Sequence, residues 1–529
     1  MKLDVKSVFI SDRVGPGCEA LFKEHGVEVT TKYGLPKDEL INELKKHDAV
    51  VVRSETKITA DIIEAVPNLK MVGRAGTGTD NIDLTAATNN GVVVLNTPGG
   101  NSISACELTC GMIYALSRNI VPAGQSMKEG RWDRKLYSGF ELYGKTLGVV
   151  GFGRIGREVA QRMLACGMKV VAYDPFLTRD EAKRLGVEFG HIDDIWRLSD
   201  MITFHTPLMP ETKNLLNKDT LARCKRGVYV INVARGGIVD EQALLDSLEA
   251  GHCGGAALDV FSEEPIKSAH LLELVKHPRV VATPHLGAST AEAQERVAVE
   301  IAEQMLVLGG HTNRYPLTGV VNAPSIRAAR NPELAPRLDL AVKLGELLGR
   351  MLPTIGEVDF AVTHFHGKPS SQDGNCAAAL LQGVLQSRAE AVASIGVTPN
   401  LINSVKLGEK LKLKVREADC DKQGLEHEYA VEVRAGDLSV KGTCDKATKL
   451  NFLLNVNGAD AAKPIPMADQ VSLYKIGKPE DLAQVVQAVI ETEAKISSID
   501  NLADEFVLVQ TKDPVDLAKV QLPAGVQKY

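Results

Sequence analysis

Residues 146–156 read TLGVVGFGRIG, in which an apolar run leads directly into a GxGxxG turn. The run Leu147 to Val150 has the character of a strand, and Arg157 to Met168 has that of a helix. Such a turn leaves unpaired backbone N–H groups at the positive end of the helix dipole, and glycines let a pyrophosphate approach them closely. Ordinary strand–helix turns carry the same glycines, so the motif alone leaves both interpretations open.

An acidic residue follows at the distance that a dinucleotide site requires. The next strand, Lys169 to Tyr173, ends at Asp174, eighteen residues after Gly156. A carboxylate there can accept hydrogen bonds from the ribose diol of adenosine. It would repel a 2'-phosphate, and the residues that follow it, Pro175-Phe176, supply no arginine, so the pattern favours NAD over NADP. The alternative is an acidic residue at a strand end without a ligand.

Length and composition are typical of a multidomain globular chain. The 529 residues predict three or four domains, and a net charge of −6 with interspersed signs offers no basic stripe for nucleic acid. No apolar run is long enough to cross a bilayer, and the first residues lack the pattern of a secretory signal. The nine cysteines form no CxxC pair. We expect a cytoplasmic protein that binds no membrane, nucleic acid or metal.

Strand and helix signals alternate twice along the chain. The first series runs from Ser7 to Leu95, and the second runs from Thr146 to Thr283. This alternation is typical of parallel sheets with helices on both faces. A long helical stretch, Ala291 to Leu308, could return the chain to the first lobe. We predict an α/β fold of two doubly wound lobes, with a Rossmann nucleotide domain inserted in a flavodoxin-like substrate lobe.

Beyond about residue 315 the pattern changes to a helical stretch followed by short strands with polar turns. This change predicts C-terminal α+β domains, the last of a regulatory type. The expected division is a substrate lobe at 1–98 and 286–315, an NAD domain at 99–285, an intervening domain at 316–465 and an ACT-like module at 466–529.

Three consecutive strands of the second series deliver a titratable or cationic residue to their carboxyl ends. Arg235 follows the strand Val228 to Val233, Glu264 lies beyond the strand that ends at Val260, and His285 follows the last strand. Ligands of open parallel sheets gather at this edge. The sequence therefore predicts that the three side chains share one site.

Beside a nicotinamide, these residue types suit hydride transfer at a 2-hydroxy or 2-oxo acid. His285 would take the hydroxyl proton in oxidation and return it in reduction. Glu264 would fix the tautomer and stabilise the imidazolium, and Arg235 would clamp the substrate carboxylate. The alternative is an Arg–Glu salt bridge with a structural histidine nearby.

On these residues and several further segments, the chain resembles the D-isomer-specific 2-hydroxyacid dehydrogenases. The resemblance covers roughly residues 5 to 325 closely and thins in the C-terminal third. In the C-terminal third, the chain resembles the long members of this family, which carry an intervening domain and an ACT-like module. The matching segments are VGRAGTG at 72–78, DNID at 80–83, NTP at 96–98 with Asn101-Ser102, GKTLG at 144–148, Asn232 to Asp240, and PHLGAST at 284–290.

The resemblance implies the same catalytic set, Arg235, Glu264 and His285, and it implies NAD as cofactor. It also implies homodimers or homotetramers. The implied NAD contacts, which include the three glycines of the turn, are Thr77, Gly151, Gly153, Arg154, Ile155, Gly156, Asp174, Thr206, Val233, Ala234, Arg235, Asp259, His285, Leu286, Gly287 and Ala288.

Additional cations point to a phosphorylated substrate. Arg53 and Arg74 end strands of the first lobe, so they should face the cleft, and Arg134 could approach it from a loop. Asn101 adds a side-chain amide. This set favours a phosphorylated 2-hydroxy acid over glycerate or lactate. The reaction that the resemblance implies is oxidation of 3-phospho-D-glycerate to 3-phosphooxypyruvate, the first step of L-serine biosynthesis.

Two other functions stay open at this point. One is another D-2-hydroxyacid dehydrogenase, such as a glyoxylate or hydroxypyruvate reductase, which would ordinarily prefer NADPH and end near residue 325. The other is an NAD-sensing scaffold similar to transcriptional corepressors. Asp174 and the long C-terminal extension argue against the reductase, and Arg53 with Arg74 argues against the scaffold.

Overall fold

The computed structural model describes most of the chain. The described residues are 3–366, 375–393, 395–420, 429–445, 448–467, 470–476, 481–490, 496–502, 506–511, 522 and 526–528. Parts of the predicted ACT-like module, including 477–480, 491–495 and 512–521, lie outside them. No helix in the described ranges is long and apolar enough to span a bilayer.

The first sheet contains five parallel strands in the order β2-β1-β3-β4-β5. Alternate residues of the central strand β3 enter different cores, Val51 on one face and Val50 on the other, because side chains of a strand alternate between faces. The elements are β1 (Ser7–Ile10), α1 (Pro16–Glu24), β2 (Glu28–Thr31), α2 (Lys37–Leu44), β3 (Ala49–Val52), α3 (Ala60–Ala65), β4 (Met71–Arg74), α4 (Leu84–Asn89) and β5 (Val93–Leu95).

The second sheet contains seven parallel strands in the order β12-β11-β10-β9-β6-β7-β8. Strand order reverses at β6, so the GxGxxG turn lies at the topological switch point where nucleotides bind. The elements are α5 (Ser102–Ser117), α6 (Ile120–Lys128), β6 (Thr146–Val150), α7 (Arg154–Ala165), β7 (Lys169–Tyr173), α8 (Arg179–Arg184), β8 (Glu188–Phe189), α9 (Ile192–Leu198), β9 (Met201–Phe204), α10 (Lys218–Ala222), β10 (Val228–Asn232), α11 (Glu241–Glu249), β11 (Cys253–Leu258), α12 (Ala269–Lys276) and β12 (Val280–Ala282).

A long helix, α13 (Ala291–Gly309), returns the chain to the first lobe. Its Ile301 and Met305 are buried in that lobe's core. They lie so close to Gly73 of β4 that a Cβ there would be 2.9 Å from Ile301 Cγ1. The insertion of the Rossmann lobe into the flavodoxin-like one is therefore confirmed.

The C-terminal part forms a ten-stranded mixed sheet covered by helices, which confirms the predicted α+β class. Strands from both sides of the predicted boundary at 465/466 belong to this sheet, because β18 pairs with β20 at Ala461 and Leu502. The elements are α14 (Pro324–Arg330), α15 (Ala335–Met351), β13 (Asp359–His366), α16 (Asn375–Ser387), α17 (Ala389–Ala393), α18 (Ser404–Lys410), β14 (Lys414–Cys420), β15 (Tyr429–Ala435), β16 (Leu438–Cys444), β17 (Asn451–Val456), β18 (Ala459–Pro466), β19 (Gln470–Lys475), α19 (Asp481–Ile490), β20 (Ile496–Leu502), β21 (Phe506–Thr511) and β22 (Gln527–Lys528).

Candidate active site

The three glycines of the turn have different surroundings. Gly151 has a φ of +91°, and a Cβ on it would be 2.7 Å from the His205 carbonyl carbon. A Cβ on Gly156 would collide with the carbonyl oxygen of Gly151, so this glycine lets α7 pack closely on β6. Nothing lies within 4 Å of a Cβ position on Gly153. Two glycines are needed for the turn itself, and the third leaves the approach open.

The first turn of α7 fits an anion at this opening. Gly153 is its N-cap, and no side chain caps the helix. The first N–H groups of a helix have no partner within it, and they carry the positive end of its dipole. Arg154 begins the helix with an exposed side chain that donates to the carbonyl oxygen of Pro98 at 3.2 Å. A pyrophosphate could therefore meet backbone donors and a guanidinium together.

Two polar groups beside the turn fit the rest of a dinucleotide. Asp174 is half-buried, and its carboxylate accepts the N–H groups of Phe152 at 2.8 Å and Phe176 at 2.9 Å. Each oxygen keeps capacity for a further hydrogen bond. The hydroxyl of Thr206 is buried beside Gly151 and has no partner among the described residues. A buried hydroxyl without a partner is costly, and a polar ligand would supply one.

Asp259 shapes the loop that carries His285. It is fully buried, and its carboxylate accepts the Thr283 hydroxyl at 2.6 Å and the N–H groups of Leu286 and Gly287 at 2.7 and 2.9 Å. These bonds bring Gly287 beside Val233, with a Cβ position 3.5 Å from Val233 Cγ1. The observed role of Asp259 is to hold this loop, and its predicted contact with NAD stays a prediction.

His285 and Glu264 form a hydrogen-bonded pair, with 2.7 Å between Nδ1 and Oε2. His285 has a φ of +56°, a left-handed conformation that is uncommon for residues other than glycine. The hydrogen bond to Glu264 raises the pKa of His285, although partial burial opposes it. Burial raises the pKa of Glu264. The hydrogen bonds from His285 and the Phe261 N–H lower this pKa by more, so the net shift is downward. The carboxylate is therefore the ionised partner.

Arg235 lies across the cleft from the first lobe. Its Nε donates to Asp80 at 3.2 Å and its Nη1 donates to the carbonyl oxygen of Ala234 at 2.7 Å. Its Nη2 faces Gly78, where a Cβ would collide with it. The two lobes therefore meet at this guanidinium.

Asn81 links the side chain of Arg74 to the backbone of Arg53, whose own guanidinium donates to the carbonyl oxygen of Arg13 at 3.2 Å. Asn81 accepts from Arg74 Nε at 3.0 Å and donates to the carbonyl oxygen of Arg53 at 2.6 Å. Burial, followed by the positive charge of Arg235, lowers the pKa of Arg74 to about 10, and Arg53 contributes in the same direction. The backbone N–H of Arg53 donates to the buried Asp12 at 2.6 Å. The charges of Arg235 and Arg53 thus both act on Arg74.

The remaining predicted residues are placed less directly. Thr77 and Asn101 join the lobes, with 2.6 Å between the hydroxyl and the amide oxygen. Arg134 is exposed on the segment between α6 and β6, and no described contact links it to Arg53 or Arg74. Its role in substrate binding stays a prediction.

Sequence reasoning did not single out three residues that organise the site. Asp12 follows β1 at the carboxyl edge, so the strand-end rule could have identified it. Asp80 and Asn81 lie within the DNID segment, in which no local pattern distinguishes them. A fourth residue, His205, follows β9, and burial lowers its pKa to about 3, so it is neutral.

Comparisons with known proteins agree with this geometry. The family model described as "D-isomer specific 2-hydroxyacid dehydrogenase, NAD binding domain" matches residues 110–287. The D-3-phosphoglycerate dehydrogenase of Rattus norvegicus is 48% identical over 416 residues, which are 78% of this chain and 74% of that protein. The protein of the same name from Bacillus subtilis is 43% identical over 388 residues, 73% of this chain and 72% of that protein.

Solved structures lead to the same family. The structure of D-lactate dehydrogenase from Aquifex aeolicus, complexed with NAD and lactic acid, is 30% identical with a TM-score of 0.51. It covers 57% of this chain, and 94% of that chain is matched.

The open face of Gly153 generates a binding prediction. In Gly153→Ala the added methyl occupies the space above the turn without a clash in the free protein, so we expect weaker binding of NADH by about tenfold, which is about 1.4 kcal/mol, with an unchanged melting temperature. Fluorescence titration measures the dissociation constant. Gly124→Ala in α6, which also has nothing within 4 Å of its Cβ position, is the control. Equal affinity of both variants and the parent protein would show that no ligand approaches Gly153.

Proposed function

Since the chain belongs to the D-isomer-specific 2-hydroxyacid dehydrogenases, we propose that it oxidises 3-phospho-D-glycerate to 3-phosphooxypyruvate with NAD, the first step of L-serine biosynthesis. The single observation that supports this substrate is that Arg74 is under the charge of both Arg53 and Arg235, and that the charge of Arg235 also acts on the His285–Glu264 pair. A carboxylate needs one guanidinium, and a phosphate at the other end of a three-carbon acid needs more cations. The relatives named D-3-phosphoglycerate dehydrogenase support the same substrate.

NAD supplies a hydride acceptor at the nicotinamide. On the protein side, Asp174 beside Phe152 supports NAD over NADP, because a 2'-phosphate would meet its carboxylate. The uncapped first turn of α7 and the open face of Gly153 are the proposed pyrophosphate site.

In the proposed mechanism, Arg235 binds the substrate carboxylate and fixes the carbinol carbon. Neutral His285 then takes the hydroxyl proton at Nε2, because its Nδ1 is engaged by Glu264. The ionised Glu264 stabilises the imidazolium that results. In reduction the same imidazolium returns the proton to the carbonyl oxygen.

The phosphate contacts are proposed from charge and position. Arg53 and Arg74 lie at the carboxyl ends of β3 and β4, and Asn81 accepts from the Arg74 side chain while it donates to the Arg53 backbone. Asn101, which is hydrogen-bonded to Thr77, would add an amide. Arg134 is proposed as a further cation. Neither the reductase nor the scaffold alternative accounts for the cluster of cations together with the His–Glu pair.

The wider organisation is also proposed. The four predicted domains are proposed with 466–529 as the regulatory module, whose strand β20 pairs with β18 of the intervening domain. Apolar side chains are exposed on α6 and on the segment that follows it, among them Met127, Trp132 and Tyr143. Exposed apolar surface of this kind favours association, and we propose a homodimer or homotetramer. The nine free cysteines support the cytoplasm as location.

A substrate comparison tests the proposed function. Initial rates of the purified protein are measured with 3-phospho-D-glycerate, D-glycerate and D-lactate, each with NAD and with NADP. We expect the highest kcat/KM with 3-phospho-D-glycerate and NAD, because only this pair uses all three cations and the remaining acceptor capacity of Asp174. A preference for D-lactate or D-glycerate, or for NADP, would contradict the proposal.

Removal of the proposed base should abolish turnover. In His285→Ala we expect kcat to fall at least about 100-fold, since no other group takes the hydroxyl proton, while NADH binding stays largely intact. His270→Ala, on α12, is the control and should keep full activity. Full activity of His285→Ala would rule out His285 as the base.

The His285–Glu264 pair predicts a pH effect. Glu264 raises the pKa of His285 above the ordinary value for histidine. Oxidation needs the neutral imidazole, so its rate should fall as the pH drops below this raised pKa. In Glu264→Gln the charge is lost while a hydrogen-bond acceptor is kept, so the acid limb of kcat/KM should move to lower pH and the plateau should fall. The alkaline limb of the reduction should move in the same direction. An unmoved acid limb would show that Glu264 does not act on the base.

A further inference from the structure

The cleft of this protein contains an anion of its own. Asp80 belongs to the first lobe and lies 3.2 Å from Nε of Arg235 in the second. Its side chain is 65% exposed, and within the described ranges its carboxylate makes no other hydrogen bond. Its charge also acts on Arg74, so it lies among the cations of the proposed substrate site.

The other acidic residue near these cations is fixed in place. Asp12 is buried, and its carboxylate accepts the N–H groups of Arg53 and Thr56 and the Thr56 hydroxyl. Asp12 therefore cannot move away from these cations without losing three hydrogen bonds that hold the loop after β3. Asp80 has a single hydrogen bond and an exposed side chain, so it can move away at little cost.

A carboxylate cannot bind Arg235 through its Nε–Nη2 edge while the contact with Asp80 remains. Each two-nitrogen edge of a guanidinium for such binding pairs Nη2 with either Nε or Nη1. Here Nε is bound to Asp80, and Nη1 is bound to the backbone carbonyl of Ala234. Nε has a single hydrogen, which Asp80 accepts, whereas Nη1 has two and keeps one after its bond to the Ala234 carbonyl. A substrate that uses the Nε edge must displace Asp80.

We propose that Asp80 is a resident competing anion, which occupies Arg235 in the free enzyme and is displaced by the carboxylate of the substrate. The inference rests on the proposed function for the identity of that substrate. Asp80 stabilises the empty cleft, in which three guanidinium groups would otherwise repel one another. It thereby weakens the binding of substrate and product alike, and its return to Arg235 assists product release.

The test is Asp80→Asn, which keeps the shape and a hydrogen-bond acceptor but removes the charge. We expect KM for 3-phospho-D-glycerate and the inhibition constant of 3-phosphooxypyruvate to fall together by about two- to fivefold, the range of a partly exposed ion pair. Glu64→Gln removes one charge from α3 of the same lobe and should change neither constant.

Equilibrium binding of oxalate separates this inference from the proposed function. Oxalate carries carboxylates and needs no turnover, so it should bind Asp80→Asn more tightly than the parent protein by a similar factor, as measured by calorimetry. If the parent protein does not oxidise 3-phospho-D-glycerate but oxalate shows this gain, the proposed function fails and the role of Asp80 stands. Unchanged or weaker oxalate binding, or a raised KM, would overturn the inference, since Asp80 would then position Arg235 instead of competing for it.

Discussion

The guanidinium of Arg235 lies against the backbone of Gly78 and donates to Asp80, so the carboxyl edges of two parallel sheets meet at one cation. This contact depends on the insertion of one lobe in the other, because α13 must return the chain and pack Ile301 against Gly73. Without that return, the cations of the first lobe would have no fixed relation to the His–Glu pair of the second. The proposed chemistry needs both, since the carboxylate and the phosphate of one small acid would bind to different lobes.

Buried polar groups hold each half of the site rigid. Asp259 in the second lobe and Asp12 in the first are almost fully buried, and each carboxylate accepts three hydrogen bonds from the loop that follows a neighbouring strand. An unpartnered carboxylate in such a position would be strongly unfavourable, so the loops are confined to conformations that supply the donors. His285 is held in a left-handed backbone conformation by this arrangement. The groups that stay exposed, Asp80 among them, are the ones free to respond to a ligand.

Much of this was accessible from the sequence, for identifiable reasons. The parallel sheets, the glycine turn, Asp174 and the strand-end residues Arg235, Glu264 and His285 follow from local patterns and from the rule that strand ends share an edge. The contacts of Asp80 and Asn81 depend on how two loops from different lobes come together, which no local pattern reports. The single ten-stranded sheet of the C-terminal part is likewise a consequence of packing, because the Ala461–Leu502 pair joins strands that are far apart in the chain.

We propose that the first lobe binds the phosphate of the substrate and the second lobe binds its carboxylate. The variant Arg74→Met tests this division most directly. The measurement is kcat/KM for 3-phospho-D-glycerate and for D-glycerate. Methionine keeps most of the length of the side chain and removes its charge. A lost charge-assisted hydrogen bond should lower kcat/KM for the phosphorylated acid by about 10- to 100-fold and leave that for D-glycerate nearly unchanged. An equal fall for both acids would contradict the claim, because Arg74 would then support the fold and not the phosphate.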